Sequence, residues 1–122
     1  MKIFEVESEF STELIDENLG IVRISTEGGH IDVMENARWA PVTNSIVAFY
    51  VEPEYRGRGI GDKLIKEAMR RYSDLGGQAS SEESLHLFYK NGFRNISEPD
   101  LDFNGLLGRL KSDSSVFMKD MQ

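Results

Sequence analysis

Three segments of the chain alternate apolar and polar residues at the period of a β-strand. They are residues 20–26 (GIVRIST), 30–39 (HIDVMENARW) and 45–51 (SIVAFYV). The last is an almost unbroken β-forming run, as expected of a central, buried strand. Glu27-Gly28-Gly29-His30 and residues 41–44 separate the three as turns, so the pattern predicts an antiparallel meander. Ahead of it, residues 1–6 alternate and predict another strand. Residues 11–18 predict a short helix, with Ser11 as its cap and acidic residues early.

After residue 51 the period changes. Ile60, Leu64, Ile65, Ala68, Met69 and Tyr72 share one helical face, which predicts a helix from about Gly59 to Leu75. Gly76-Gly77 is read as its stop. A short strand is expected at residues 78–80. Ser80 followed by Glu83 has the form of a capping box for a second helix, ending near Lys90 at Asn91-Gly92. Beyond Phe93 the pattern is less regular; Phe103, Leu106 and Leu107 are expected to cover the core, and residues 115–121 (SVFMKDM) return to the sheet. The order β-β-β-β-α-β-α-β gives an α+β fold: one domain over residues 1–122, with a mixed, mostly antiparallel sheet and two main helices.

Composition narrows the classes. At 122 residues and 39% hydrophobic content, the chain can bury one core without staples. It has no cysteine, so disulfides and thiolate metal sites are excluded. No apolar run approaches the roughly 20 residues of a membrane span, and the first residues lack the apolar stretch of a leader. The reading is cytoplasmic, with no membrane partner. The net charge of −7 disfavours nucleic acid. That charge is uneven. Residues 56–71 hold Arg56, Arg58, Lys63, Lys66, Arg70 and Arg71 against Asp62 and Glu67, a local +4 that points to an anionic ligand.

The chemistry concentrates in VEPEYRGRGIGDKL, residues 51–64. A strand ends, a loop with three glycines follows, and a helix starts. The first turn of a helix has amide N–H groups without internal partners at the positive end of its dipole. Glycines let that backbone approach phosphate oxygens, and Arg56, Arg58 and Lys63 add charge. The segment therefore predicts a pyrophosphate site. Its spacing is not that of a P-loop. Nor does it fit the dinucleotide fingerprint, because Asp62 stands where a third glycine is needed.

Arg56-Gly57-Arg58-Gly59-Ile60-Gly61, preceded by Val51-x-Pro53-x-Tyr55 and followed by the amphipathic helix, resembles the signature of the GNAT superfamily of acyl-CoA-dependent N-acyltransferases. LHLFYKNGF at 85–93 and VFMKDM at 116–121 resemble that family's later blocks, and the resemblance covers about residues 20–121. It implies acetyl-CoA as the acyl donor, held between two splayed strands. Phe49, Tyr50 and Val51 would line the pantetheine through their backbone. The backbone of Gly57, Arg58, Gly59, Ile60, Gly61 and Asp62 would hold the pyrophosphate beside Arg56. The implied reaction is direct attack of an amine on the thioester.

The chain departs from the family at three places. The family's tyrosine, which protonates the leaving thiolate, falls on Phe88; Tyr89 is its neighbour and the candidate acid. The strand where relatives place a basic glutamate reads Gln78, Ala79, Ser80, which leaves Glu35, Asp32, His86, Glu83 and Glu52 as candidate bases. His86 and His30 also read as ordinary helix and turn histidines, and Trp39 as core or rim packing. The front end has room for one short helix where relatives have two. An open acceptor side with six acids against one lysine in the first 17 residues favours a cationic amine such as a protein lysine. A non-catalytic acyl-CoA- or partner-binding module is the alternative, and an RNA-directed transferase is disfavoured by the charge. The chain is expected to be a monomer or a homodimer.

Overall fold

The computed structural model describes residues 9–121; the strand expected at residues 1–6 lies outside them. Seven strands form one sheet: β1 (Ser11–Asp16), β2 (Ile21–Thr26), β3 (Gly29–Glu35), β4 (Asn44–Val51), β5 (Leu75–Ala79), β6 (Phe93–Asn95) and β7 (Val116–Asp120). Three α-helices accompany them: α1 (Ile60–Arg71), α2 (Glu82–Lys90) and α3 (Phe103–Asp113). The sheet order is β1-β2-β3-β4-β5-β7-β6. Every neighbouring pair is antiparallel except β4 with β5. No helix among the described residues is long and apolar enough to cross a membrane.

The α+β class and the meander stand, while three boundaries are corrected. Residues 11–16 are a strand, not a helix. The first hairpin closes at Gly20, at φ +71°, and Ser11 Oγ meets Ser25 Oγ across the pair at 2.7 Å. Sheet pairing overrides the local capping signal there. Helix α1 ends at Arg71, and Gly76-Gly77 belong to β5 rather than to a helix stop. The turn is made instead at Asp74, at φ +48°. Both glycines are needed for space: a Cβ at Gly76 would lie 2.8 Å from the Met118 carbonyl oxygen, and one at Gly77 would lie 2.8 Å from Phe88 Cζ. The cap of α2 is Ser81, which accepts from the Ser84 amide at 3.1 Å, so the expected box is shifted by one residue.

The irregular tail contains α3. Asp102 caps it through the Gly105 amide at 2.9 Å. Leu106 is fully buried, and Phe103 and Leu107 pack against the core, as their apolar character predicts. That core joins Ile24, Ile31, Val33 and Ile46 of the sheet to Leu64, Ile65 and Ala68 of α1, Leu85 and Phe88 of α2, and Leu106. Alternate strand residues thus meet all three helices on one face of the sheet. The intervening positions, among them Arg23, Asp32, Tyr50 and Gln78, face the other way. Trp39, expected at the core or its rim, is 58% exposed.

Candidate active site

Strands β4 and β5 pair only through Asn44↔Leu75, Ser45↔Gly76 and Ile46↔Gly77. Beyond Ile46 they part. The register between β3 and β4 shifts at the same place: Asp32 faces Ala48, Val33 faces Ile46, and Val47 is the extra residue of a bulge. From Val47 to Val51, the β5-facing edge of β4 has no strand partner. The gap is a slot of about 230 Å3, lined on one side by Ile46, Val47, Ala48 and Phe49 and on the other by Ser80, Ser84, Leu87 and Phe88.

The slot opens at Phe49, Ser81, Ser84 and Leu87 into a larger cleft of about 390 Å3. The loop after β4 forms the wall of this cleft. Gly57 and Gly59 adopt φ +80° and +79°, and a Cβ at either would meet nothing. Glycine is required there for backbone conformation, not for space. Gly59 is the N-cap residue of α1 and accepts its first bond, from the Lys63 amide at 3.1 Å. Among the described residues, no acceptor takes the amide N–H of Gly57, Arg58, Gly59, Ile60, Gly61 or Asp62. Six adjacent donors without acceptors at a helix N-terminus are the arrangement that anion binding requires. At Gly61 the constraint is contact, because a Cβ would lie 3.3 Å from the Phe49 ring.

Side chains brace this loop. Tyr55 donates to Glu27 Oε1 at 2.8 Å, and that carboxylate raises the phenol above its ordinary range, chiefly through the hydrogen bond. The same ring covers the β2–β3 turn, where a Cβ on Gly28 would come within 2.4 Å of it. Arg58 stacks on Tyr55 at 5.1 Å, and Arg56 Nε donates to the Val51 carbonyl at 3.2 Å. Asp62 ties α1 to α2: Lys66 pairs with it, Asn91 Nδ2 donates to Oδ1 at 3.0 Å, and Lys90 Nζ stands 3.5 Å away. These partners, Lys66 foremost, hold its carboxyl below the usual range. Lys63 pairs with Glu9 at 2.8 Å.

Of the expected residues, Phe49, Tyr50, Val51, Arg56, Gly57, Gly59, Ile60 and Gly61 line the cleft, whereas the side chains of Arg58 and Asp62 are engaged at its border. Tyr89 does not line the slot or the cleft. Its ring lies under the Arg94 guanidinium at 3.9 Å and beside Phe103 at 5.7 Å. Phe88 faces the slot in its place. Of the candidate bases, Glu83 and His86 border the cleft, His86 edge-on to Phe103 at 5.5 Å. Asp32 is closed off by Arg23, with bonds of 2.8 and 3.1 Å. Ser81, Ser84, Leu87 and Lys90 also line the cleft, although the sequence reading did not select them. Their signal was the helical spacing from 83 to 90, visible only once the register of α2 is known.

A family profile described as Acetyltransferase (GNAT) domain matches residues 6–95. The chain belongs to the GNAT family. Two solved structures share the GNAT fold. One, a candidate acyl-CoA N-acyltransferase from Klebsiella pneumoniae subsp. pneumoniae, is 16% identical with a TM-score of 0.58; the match covers 98% of this chain and 83% of that one. The other is N-acetylglutamate synthase from Neisseria gonorrhoeae, complexed with coenzyme A and N-acetyl-glutamate. It is 17% identical with a TM-score of 0.54, over 87% of this chain and 27% of that longer one. At these identities the likeness concerns the fold. No curated protein sequence matches the chain.

Proposed function

We propose that this GNAT chain is an N-acetyltransferase in which an amine attacks acetyl-CoA directly. One observation carries the reading. The unpaired edge of β4, from Val47 to Val51, is followed, after the turn at Pro53–Tyr55, by six amides that have no acceptor among the described residues. Pantetheine amides need backbone partners in an extended line, and a diphosphate needs clustered N–H donors; the chain lays the two end to end. In this reading the backbone of Phe49, Tyr50 and Val51 takes the pantetheine. The amides of Gly57, Arg58, Gly59, Ile60, Gly61 and Asp62 take the diphosphate, with Arg56 and Lys90 as nearby cations. The thioester then lies in the slot, where free strand amides polarise its carbonyl.

The acceptor we propose is a cationic amine such as a protein lysine. Among the described residues no helix covers the sheet face that carries Arg23 and Tyr50, where Tyr50 is exposed, and the net charge of −7 favours a basic partner. A second reading, a non-catalytic acyl-CoA-binding module, draws on the phenylalanine at position 88, which brings no phenol to the slot. Calorimetric titration with acetyl-CoA tests the cofactor site. Micromolar binding is expected; Gly59→Glu should abolish it, by straining the φ +79° backbone and by placing a carboxylate among the loop amides, while Gly59→Asn, which tolerates that φ, should retain most of it. No heat at millimolar acetyl-CoA would overturn both readings. Binding without release of free thiol in the presence of basic proteins would leave the second.

A further inference from the structure

A departing thiolate needs a proton, and the slot contains no phenol. The O–H groups lining it are those of Ser80, Ser81 and Ser84. The side-chain N–H donor there, Gln78 Nε2, belongs to the far face of the sheet and donates to Ser115 Oγ at 2.9 Å. Ser84 lies one helical turn before Phe88, on the same face of α2. It is half-buried where the slot joins the cleft. Its Oγ accepts from Ser81 Oγ at 2.9 Å and donates to the Ser81 carbonyl at 3.0 Å, a bond the hydroxyl must exchange for one to sulfur, and Ser81 is exposed to solvent.

We infer that Ser84 is the catalytic residue that delivers the proton to the leaving sulfur, with Ser81 as its link to water. The inference rests on the function proposed above. As the amine nitrogen bonds to the carbonyl carbon, the C–S bond breaks and its electron pair stays on sulfur. The Ser84 Oγ proton passes to that sulfur and gives the free thiol. Ser84 regains a proton from Ser81 Oγ, which is refilled by water, and the amine gives its surplus proton to water. The acceptor, cationic in solution, gives one further proton to water before it attacks, so each turnover releases that one proton. A serine hydroxyl is a weaker acid than a thiol, so the transfer accompanies C–S cleavage rather than preceding it.

The test uses product CoA and needs no acceptor. The thiolate absorbance of CoA bound to the full chain is titrated against pH, by difference from the free protein. A hydrogen bond donated to a charged group gives an expected ionisation constant about tenfold larger in the wild type than in Ser84→Ala. Ser84→Ala with Phe88→Tyr should restore it. CoA that binds both proteins but titrates identically in each overturns the inference and leaves the cofactor site standing. CoA that does not bind the wild type sinks the site itself. Should Ser84→Ala fail to fold, CoA on the wild type must still ionise more readily than CoA in solution; equal ionisation overturns the inference.

Discussion

At the scale of single residues, the side chains that shape this fold are often those with unusual backbone or unusual partners. Asp74 takes φ +48° at the turn into β5, and its carboxylate closes that turn. Oδ2 accepts from the Thr43 amide and hydroxyl, each at 2.8 Å, and Lys119 pairs with Oδ1 at 3.1 Å. The Thr43 amide, first among these, holds the carboxyl below its ordinary range. A depressed pKa stabilises the fold above the unfolded-state value and loses that contribution as pH falls through the folded value. The urea midpoint should therefore fall on acidification below about pH 4, the usual aspartate range. Asp74→Asn tolerates the same backbone, and it should lower the neutral-pH midpoint while flattening that acid dependence. An unchanged slope in Asp74→Asn would remove Asp74 from the account.

Single-residue readings from sequence reach as far as backbone chemistry that is local. The need for glycine at 57 and 59 was legible because positive φ at a helix start is a short-range demand. Asp62 was legible only by its amide. Its side chain bridges α1 to Asn91, a contact 29 positions away that no local pattern encodes. Tyr89 was selected by its phenol, but orientation is set by helix phase. One residue is about 100° on a helix, and that rotation places Phe88 at the slot and Tyr89 under Arg94.

At the scale of elements, the site is the place where two strands separate. Three register pairs hold β4 to β5, and the bulge at Val47 turns β4 away after them. Gly77 is the last residue of β5 paired to β4 and lies against the Phe88 ring at the foot of the slot. Gly77→Ala forces a Cβ to within 2.8 Å of Phe88 Cζ and 3.3 Å of Ile46 Cβ. Overpacking of that kind costs about 1–3 kcal/mol, which denaturant unfolding will measure. The displaced ring should also narrow the slot and weaken acetyl-CoA binding several-fold. Loss of stability with unchanged affinity would show that the slot does not hold the acyl end. The meander and α1 were legible because their periods are strong. β1 was not: its six residues are mostly exposed, so they lack the apolar alternation that marks a strand and depend on pairing with β2.

At the scale of the whole molecule, one core links the sheet to α1, α2 and α3, and β7 stands between β5 and β6. β7 is thus paired inside the sheet on both edges, which ties the end of the described chain to its middle. Calorimetry should show one cooperative transition, with calorimetric and van't Hoff enthalpies equal and near about 80 kcal/mol from the usual per-residue value. Two resolved transitions would divide the chain into separate units. All three helices lie on one face. The opposite face is where the proposed acceptor approaches.

By itself, the sequence determined what depends on neighbours in the chain. These are the hydrophobic periods of the meander and α1, the absence of thiol chemistry, the acidic balance, and a glycine loop between strand and helix that suits an anion. The tertiary structure decided what depends on distant segments meeting. It made residues 11–16 a strand, put Gly76 and Gly77 where only glycine fits between Phe88 and β7, and parted β4 from β5. It also chose which side chains of α2 face the slot. The physical reason is the same in each case: local propensities differ by about 1 kcal/mol or less, and pairing and burial across the sheet outweigh them.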